Sequence, residues 1–122
     1  MALVGTVVPG DQRGRTIGFP TANLEVAAGM PVPPRGVYAA FADGRAAAVN
    51  VGVRPTFAGQ EPSLVIEVHV LDFEGDLYGR EMTVEFVQRL RDERRFDGPE
   101  ALIAQLALDV EQVRALTRLG GS

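Results

Sequence analysis

The sequence lacks both cysteine and lysine, and each absence excludes a kind of chemistry. Without cysteine among its 122 residues, the chain can form neither a disulfide framework nor a thiolate metal site. All 12 basic residues are arginine. This excludes phosphate loops that end in Gly-Lys-Ser/Thr and Schiff bases on a lysine side chain. A protein of this composition that handles phosphate must use arginine, backbone N–H groups and a metal ion.

The chain is also poor in net charge and has no long apolar segment. A formal net charge of −4 argues against bulk electrostatic binding to nucleic acid or to a membrane surface. No apolar run approaches the roughly 20 residues that cross a bilayer. Hydrophobic residues make up 46% and charged residues 23%, which is typical of a globular protein. We therefore expect one domain over residues 1–122 in the cytoplasm, which the absence of cysteine also fits.

Short segments rich in β-branched residues predict an all-antiparallel sheet, because turn residues separate them. The predicted strands are residues 4–8, 21–26, 36–41, 46–51, 64–71 and 83–89. Asp43-Gly44 stands between the third and fourth strands at a spacing typical of a tight hairpin.

From Pro99 onward the apolar period changes to that of a helix. One apolar stripe is predicted from Leu102, Ile103, Leu106, Val110, Val113 and Leu116. The fold class is therefore predicted to be mainly β. It would be a six-stranded antiparallel, Greek-key-like barrel over about residues 3–90, with an amphipathic C-terminal helix over about residues 99–119.

The first candidate for chemistry is the glycine-rich segment 10–20 (GDQRGRTIGFP). Glycines let a backbone approach phosphate oxygens, and the two arginines would add positive charge. Thr21 and Asn23 follow, and in an extended stretch they share one face. A hydroxyl and an amide carbonyl are hard oxygen ligands that suit Mg²⁺. Spacing alone equally fits a solvated loop before an ordinary strand, because a glycine-rich loop is a weak signal.

The second candidate is Glu67, in the strongly β-prone run 64–70 (LVIEVHV). Its even-numbered residues form one apolar face, and Val65, Glu67 and His69 form the other. Such a carboxylate lies either on a solvated sheet face or in a site. A barrel interior that admits Glu67 would hold it near a substrate hydroxyl as a general base. We interpret His69, the only histidine, as a supporting residue.

The third candidate is an arginine cluster formed by Arg89, Arg91, Arg94 and Arg95. Acidic residues interrupt it, and mixed charge is typical of a solvated, locally paired surface. The functional interpretation is that one arginine grips a phosphate or an electron-rich ring.

Taken together, six ordered motifs resemble the riboflavin kinase family. They are 5–10 (GTVVPG) with 14–24 (GRTIGFPTANL), 36–38 (GVY), 50–57 (NVGVRPTF), 66–73 (IEVHVLDF), 76–79 (DLYG) and 91–97 (RDERRFD). The GR-x-x-GFPTAN string of the family is complete, and the motifs span nearly the whole chain in the family's order. The resemblance favours the functional interpretation of the glycine-rich segment and of Glu67, and among the arginines it favours Arg91 alone.

The resemblance implies a six-stranded antiparallel barrel with a C-terminal helix. It also implies transfer of the ATP γ-phosphate to the 5′-hydroxyl of riboflavin, which gives FMN and ADP. Five residues would bind the nucleotide: Gly10, Arg15, Gly18, Thr21 and Asn23.

The resemblance further assigns separate roles within the site. Thr21 and Asn23 would hold Mg²⁺, Glu67 would take the proton from the ribityl 5′-hydroxyl, and Arg91 would contact the flavin. Riboflavin and ATP are the expected partners, and nucleic acid and membranes are not.

Many bacterial members of the family carry an N-terminal domain that converts FMN to FAD, and no such domain is present in these 122 residues. We therefore expect the chain to be the C-terminal module of a bifunctional enzyme whose FMN adenylyltransferase domain is missing, with a free-standing kinase as the alternative.

Two other classes of protein compete with this interpretation. One is a flavin- or nucleotide-binding regulatory module, against which the intact Thr21, Asn23 and Glu67 argue. The other is a small barrel that binds single-stranded nucleic acid. The acidic balance and the lack of aromatic residues interleaved with basic ones argue against it.

Overall fold

Strands and one helix account for most of the chain that the computed structural model describes, namely residues 1–9, 22–27, 29–54, 63–72, 78–93 and 97–120. The elements are β1 (Ala2–Pro9), β2 (Ala22–Glu25), β3 (Gly36–Ala42), β4 (Arg45–Arg54), β5 (Ser63–Val70), β6 (Glu81–Arg91) and α1 (Pro99–Gly120). The predicted class, mainly β with one C-terminal helix, is confirmed.

The strands close into a barrel in the order β1-β2-β5-β4-β3-β6, with β6 returning to β1. Every pairing is antiparallel. Strands β3, β4 and β5 are successive neighbours, and β6 lies beside β3, which is the Greek-key arrangement predicted. Closure gives each described strand a partner on both sides, which limits the open edges that promote aggregation.

Apolar side chains from alternate strand positions fill the barrel. The buried interior includes Leu3, Val7, Leu24, Tyr38, Ala40, Ala47, Val49, Val51, Ile66, Val68, Met82 and Val84. Tyr38 packs edge-on against Phe86 with ring centroids 5.1 Å apart, and its hydroxyl donates to the carbonyl of Pro34. Each fully buried aliphatic side chain contributes about 1.5–3 kcal/mol. The interior is thus a packed core.

A two-residue turn joins β3 to β4 at the predicted Asp43-Gly44. Both residues have positive φ, 49° and 83°. This is the conformation that matches the twist of a hairpin and that favours Asp-Gly. Asp43 also fixes the turn to β6, because its carboxylate accepts from the Thr83 N–H at 2.9 Å.

Helix α1 packs on the outer face of β3, β4 and β6. At the centre of this joint Val113 is fully buried against Ala39 and Leu71, and the alanines at positions 46 and 48 contribute to the contact. Small side chains on the strands let the helix axis approach the sheet closely. The helix therefore covers the outer surface of the first half of β4 and leaves that of the second half uncovered.

The buried face of α1 differs in two respects from the predicted stripe. Ile103 is 37% exposed, whereas Asp109 and Thr117 are buried. The face turned to the barrel follows the four-residue step Asp109–Val113–Thr117, and Ile103 lies outside it. Within the described residues, no helix combines the length and the apolar character needed to span a membrane.

Candidate active site

Three polar side chains lie in one row across neighbouring strands. Glu67 of β5 is directly opposite Asn23 of β2 on one side and Asn50 of β4 on the other. Residues in register on adjacent antiparallel strands share a face, with Cβ atoms about 4.5–5.5 Å apart. Asn23, Glu67 and Asn50 therefore form a row about 10 Å long with the carboxylate in its middle.

The row lies on the outer face of the barrel. The residues that alternate with it, including Leu24, Ile66 and Val68, belong to the interior core. Glu67 is half-buried on this outer face. Glu67 therefore does not enter the barrel interior, one of the places considered for it, because apolar side chains already fill that interior.

Both asparagines carry a buried oxygen that lacks a partner. In the described part of the chain, Oδ1 of Asn23 and Oδ1 of Asn50 make no hydrogen bond. An unsatisfied buried acceptor costs about 1–3 kcal/mol, so such atoms are candidates for contact with a ligand or an ion. An amide oxygen suits Mg²⁺ as a ligand and accepts equally well from a hydroxyl.

The row continues in register past Asn50 towards the helix. Val37 of β3 is opposite Asn50, and Arg91 of β6 is opposite Val37. Val37 is buried, with 6% of its surface exposed. The outer face thus changes along one line from polar (Asn23, Glu67, Asn50) to apolar (Val37) and then to cationic (Arg91).

On the side of Asn50 away from the helix, the next residue of β4 on the outer face is a glycine. Gly52 is two residues further along β4 on the same face, and a Cβ there would overlap Oε2 of Glu93. The carboxylate of Glu93 therefore lies against bare backbone, where Arg35 binds it at 3.1 Å. Asn50 consequently lies between Ala48, which the helix covers, and Gly52, which Glu93 covers.

The family model for Flavokinase, described as riboflavin kinase, matches residues 1–117. The chain belongs to the riboflavin kinase family.

Several relatives in this family are longer proteins. The chain is 43% identical over 115 residues to the bifunctional riboflavin kinase/FMN adenylyltransferase of Listeria monocytogenes, and covers 36% of that protein. It is 44% identical over 113 residues to the protein of the same name in Escherichia coli K12, and covers 35% of it. The RNA-binding riboflavin kinase RibR of Bacillus subtilis is 36% identical over 115 residues, 49% of its length. The riboflavin kinase domain described here thus spans about a third to a half of these relatives.

Solved structures share the riboflavin kinase fold. The crystal structure of a macrolide-efflux protein from Streptococcus pneumoniae matches with a TM-score of 0.85 and 38% identity, over 93% of this chain and 38% of that one. The riboflavin kinase of Trypanosoma brucei matches with a TM-score of 0.71 over 96% of this chain and 79% of that one. At 22% identity, the second match speaks for the fold alone.

The structure brings together two of the residues predicted for the riboflavin kinase site. Asn23 and Glu67 are direct neighbours in the row. The other predicted nucleotide and metal contacts lie outside the described residues, so their roles stay predictions: Gly10, Arg15, Gly18 and Thr21. His69 lies on the same face as Glu67, opposite Ala48, where the helix begins to cover β4.

Arg91 makes a contact that the sequence pattern does not reveal. Its guanidinium binds the buried carboxylate of Asp109 at 2.8 Å, and its Nη1 donates to the carbonyl of Asp92 at 3.0 Å. Gln105 donates to the same carboxylate at 2.9 Å. The described contacts of Arg91 anchor the helix to β6, and its predicted contact with the flavin stays a prediction.

Sequence reasoning overlooked Asn50 as a site residue. It is the first residue of the NVGVRPTF motif at 50–57, whose role the sequence did not reveal. The available signal was local: Asn50 is a polar residue in the apolar alternation of residues 46–51. Its position opposite Glu67 depends on the pairing of β4 with β5, which a single sequence does not show.

Proposed function

We propose that this chain is the kinase domain that transfers the γ-phosphate of ATP to the 5′-hydroxyl of riboflavin, giving FMN and ADP. One observation carries the proposal. In a chain of this family, a half-buried carboxylate, Glu67, lies between two asparagines whose buried oxygens have no partner among the described residues. Such a row offers a base and two places for polar ligands within about 10 Å.

Glu67 serves as the general base. Its carboxylate accepts the proton of the 5′-hydroxyl while that oxygen bonds to the γ-phosphorus. The bond from the γ-phosphorus to the bridging oxygen breaks, and ADP leaves with the bridging oxygen. Phosphoryl transfer depends on alignment and charge stabilisation more than on covalent catalysis. Strands paired on both sides, as β5 is by β2 and β4, position such a group more precisely than loops do.

Asn23 forms the nucleotide side of the site. Its buried Oδ1 is a suitable ligand for Mg²⁺, and Thr21 would add a hydroxyl oxygen. Bound Mg²⁺ would neutralise charge on the β- and γ-phosphates. The described residues hold no group of three or more acidic, histidine or cysteine side chains that could bind a metal. Gly10, Arg15 and Gly18 would cover the phosphates.

Arg91 marks the flavin side. It is in register with the row, beyond the apolar Val37, so a flavin ring reaching along the row from Glu67 would approach it. A planar guanidinium stacks on or hydrogen-bonds an electron-rich ring.

The longer relatives suggest a setting for the reaction. Their name joins riboflavin kinase to FMN adenylyltransferase, so we propose that this domain works with an N-terminal adenylyltransferase domain that turns its FMN into FAD. A cytoplasmic location stays a prediction from the sequence.

The direct test incubates the purified chain with riboflavin, ATP and Mg²⁺ and separates the flavins by chromatography. We expect FMN and ADP in equal amounts, and neither product when EDTA removes the metal. A folded chain that binds riboflavin yet forms no FMN would contradict the kinase and favour a flavin-binding module.

A further inference from the structure

Asn50 has the features of a ligand-binding residue, yet the reaction as proposed gives it no role. Its buried Oδ1 has no partner among the described residues. It is next to Glu67 on the side away from Asn23, and next to Val37 on its other side. A polar residue kept between a carboxylate and an apolar residue, with its oxygen unsatisfied, is poorly explained by packing.

The order of the row determines which part of a substrate passes over Asn50. In an in-line phosphoryl transfer, the attacking and leaving oxygens lie on opposite sides of the phosphorus. If the phosphates lie over Asn23 and the attacking hydroxyl contacts Glu67, the carbon chain that carries this hydroxyl must leave on the far side of Glu67. The next polar side chain in that direction is Asn50, one strand or about 4.8 Å further on.

An amide side chain is well matched to a chain of hydroxyl groups. Each hydroxyl both donates and accepts, and an asparagine offers a carbonyl acceptor together with an NH₂ donor. We infer that Asn50 binds the polyhydroxyl chain of the acceptor substrate and holds its terminal hydroxyl at Glu67. This inference rests on the proposed kinase function, and it names Asn50 as a determinant of acceptor specificity.

Beyond Asn50, the row continues with an apolar residue and then a cationic one. Val37 is buried and apolar, and Arg91 follows it in register. A hydroxylated chain over Asn50 would thus lead past the buried Val37 towards Arg91.

The test compares two flavins on the full chain and on Asn50→Leu, which keeps the size of the side chain but removes its hydrogen bonds. Riboflavin carries the ribityl chain, and lumiflavin has the same ring without it. Binding of each is measured by fluorescence titration, and KM values for riboflavin and ATP are measured separately. Asn50→Ala serves as a second variant, and Gln112→Leu, an exposed amide on α1, is the matched control.

We expect Asn50→Leu to weaken riboflavin binding about tenfold, the effect of one or two lost hydrogen bonds. Lumiflavin binding and the KM for ATP should change less than about twofold, by the same reasoning. The melting temperature should stay the same or rise, because the substitution removes an unsatisfied buried acceptor.

Other results would overturn the inference. Unchanged riboflavin binding would do so, and so would equal weakening of both flavins or a selective rise in the KM for ATP. The proposed function fails separately, if the unaltered chain makes no FMN. A chain that makes no FMN but whose riboflavin binding depends on Asn50 would still support the role of Asn50, whereas normal turnover by Asn50→Leu at unchanged riboflavin KM would refute only that role.

Discussion

The guanidinium of Arg91 and the carboxylate of Asp109 form a three-bond ion pair between strand β6 and helix α1. The nitrogen–oxygen distances are 2.8, 3.0 and 3.3 Å. Asp109 is almost completely buried, with 1% of its side chain exposed, and Arg91 is 19% exposed. Gln105 also donates to Asp109, so two side chains bind this carboxylate. The helix is therefore joined to the barrel by a charge pair as well as by the apolar contact around Val113.

Replacement of Asp109 by alanine should lower the free energy of unfolding strongly. The change leaves the Arg91 charge in a mostly buried place without its carboxylate, and breaking a buried pair in this way costs about 3–5 kcal/mol. Urea denaturation measures the loss. Glu111→Ala, an exposed acid on the same helix, is the matched control and should change stability by less than about 0.5 kcal/mol. Equal effects of the two variants would show that the pair contributes no net stability.

A comparison of Arg91→Ala with Asp109→Ala separates the anchoring role of Arg91 from its predicted role in the flavin site. Both variants break the same ion pair, so anchoring alone predicts similar rises in the KM for riboflavin. If Arg91 also contacts the flavin, its variant should show a further rise of about tenfold, the effect of one lost charged hydrogen bond. Steady-state kinetics, measured at a temperature where both variants are folded, distinguishes anchoring alone from anchoring together with a flavin contact.

Replacement of Glu67 by glutamine should preserve the fold and abolish most turnover. The amide has nearly the same shape but does not accept the hydroxyl proton, and loss of a general base typically costs about 10²–10⁴-fold in rate. The readout is kcat for FMN formation, with circular dichroism to verify folding. Glu85→Gln, an exposed acid on β6, should retain normal kcat. Near-normal turnover in Glu67→Gln would eliminate this carboxylate as the base.

Replacement of Asn23 by alanine should weaken the binding of Mg²⁺ and nucleotide, with little effect on the binding of riboflavin. Loss of its amide oxygen removes one proposed Mg²⁺ ligand, so the Mg²⁺ concentration for half-maximal rate should rise about tenfold or more. Riboflavin affinity should change little, because Asn23 and Asn50 lie at opposite ends of the row. A titration of the rate against Mg²⁺ at saturating riboflavin measures the effect. A variant with an ordinary Mg²⁺ requirement but weakened flavin binding would reverse the proposed order of the row.

The ion pair between Asp72 and Arg114 should make stability depend on pH in the acid range. Hydrogen bonds from Arg114, at 2.5 and 2.8 Å, together with its charge, hold the pKa of Asp72 below the ordinary value of 3.8. Because the folded-state pKa is the lower one, the stabilisation is complete above 3.8 and is lost as the pH falls through the lowered pKa. Asp72→Asn should therefore be less stable than the parent at neutral pH, and the difference should vanish in strong acid.

Asparagine is the appropriate substitution here because Asp72 has a φ of 55°, a conformation that asparagine tolerates well. Thermal melts at a series of pH values measure the difference. Arg114→Gln should give the same pH profile, and the double variant should lose little more than either single one. A stability difference between Asp72→Asn and the parent that persists unchanged into acid would contradict the assignment.

Local sequence patterns predicted much of the fold, because strand alternation and turn chemistry are encoded within a few residues. The alternation in residues 64–70 placed Glu67 on the face opposite Val68, and Asp43-Gly44 marked a turn that the structure confirms. Alternation does not say which face points inward, since that depends on how the barrel closes. The alternation pattern therefore did not predict that Glu67 faces outward.

Long-range contacts account for the residues that the sequence concealed. Asn50 gains its place in the site from pairing with a strand that begins after residue 62. Asp109 resembles a solvent-facing residue of an amphipathic helix, and its burial depends on Arg91, 18 positions earlier in the chain. The role of each of these two polar residues depends on a partner distant in the sequence, which no local sequence pattern identifies.

Alternate residues of β5 have different roles. Ile66 and Val68 belong to the core, whereas Glu67 lies in the row. A shift of this strand by a single residue would exchange the two sets. It would drive the carboxylate of Glu67 into the apolar interior and expose the isoleucine and valine where the substrates are proposed to bind. A misaligned barrel would thus be disfavoured by the burial of a charge as well as by lost packing. The same residue that is proposed to drive the chemistry also opposes incorrect pairing of the strands as the protein folds.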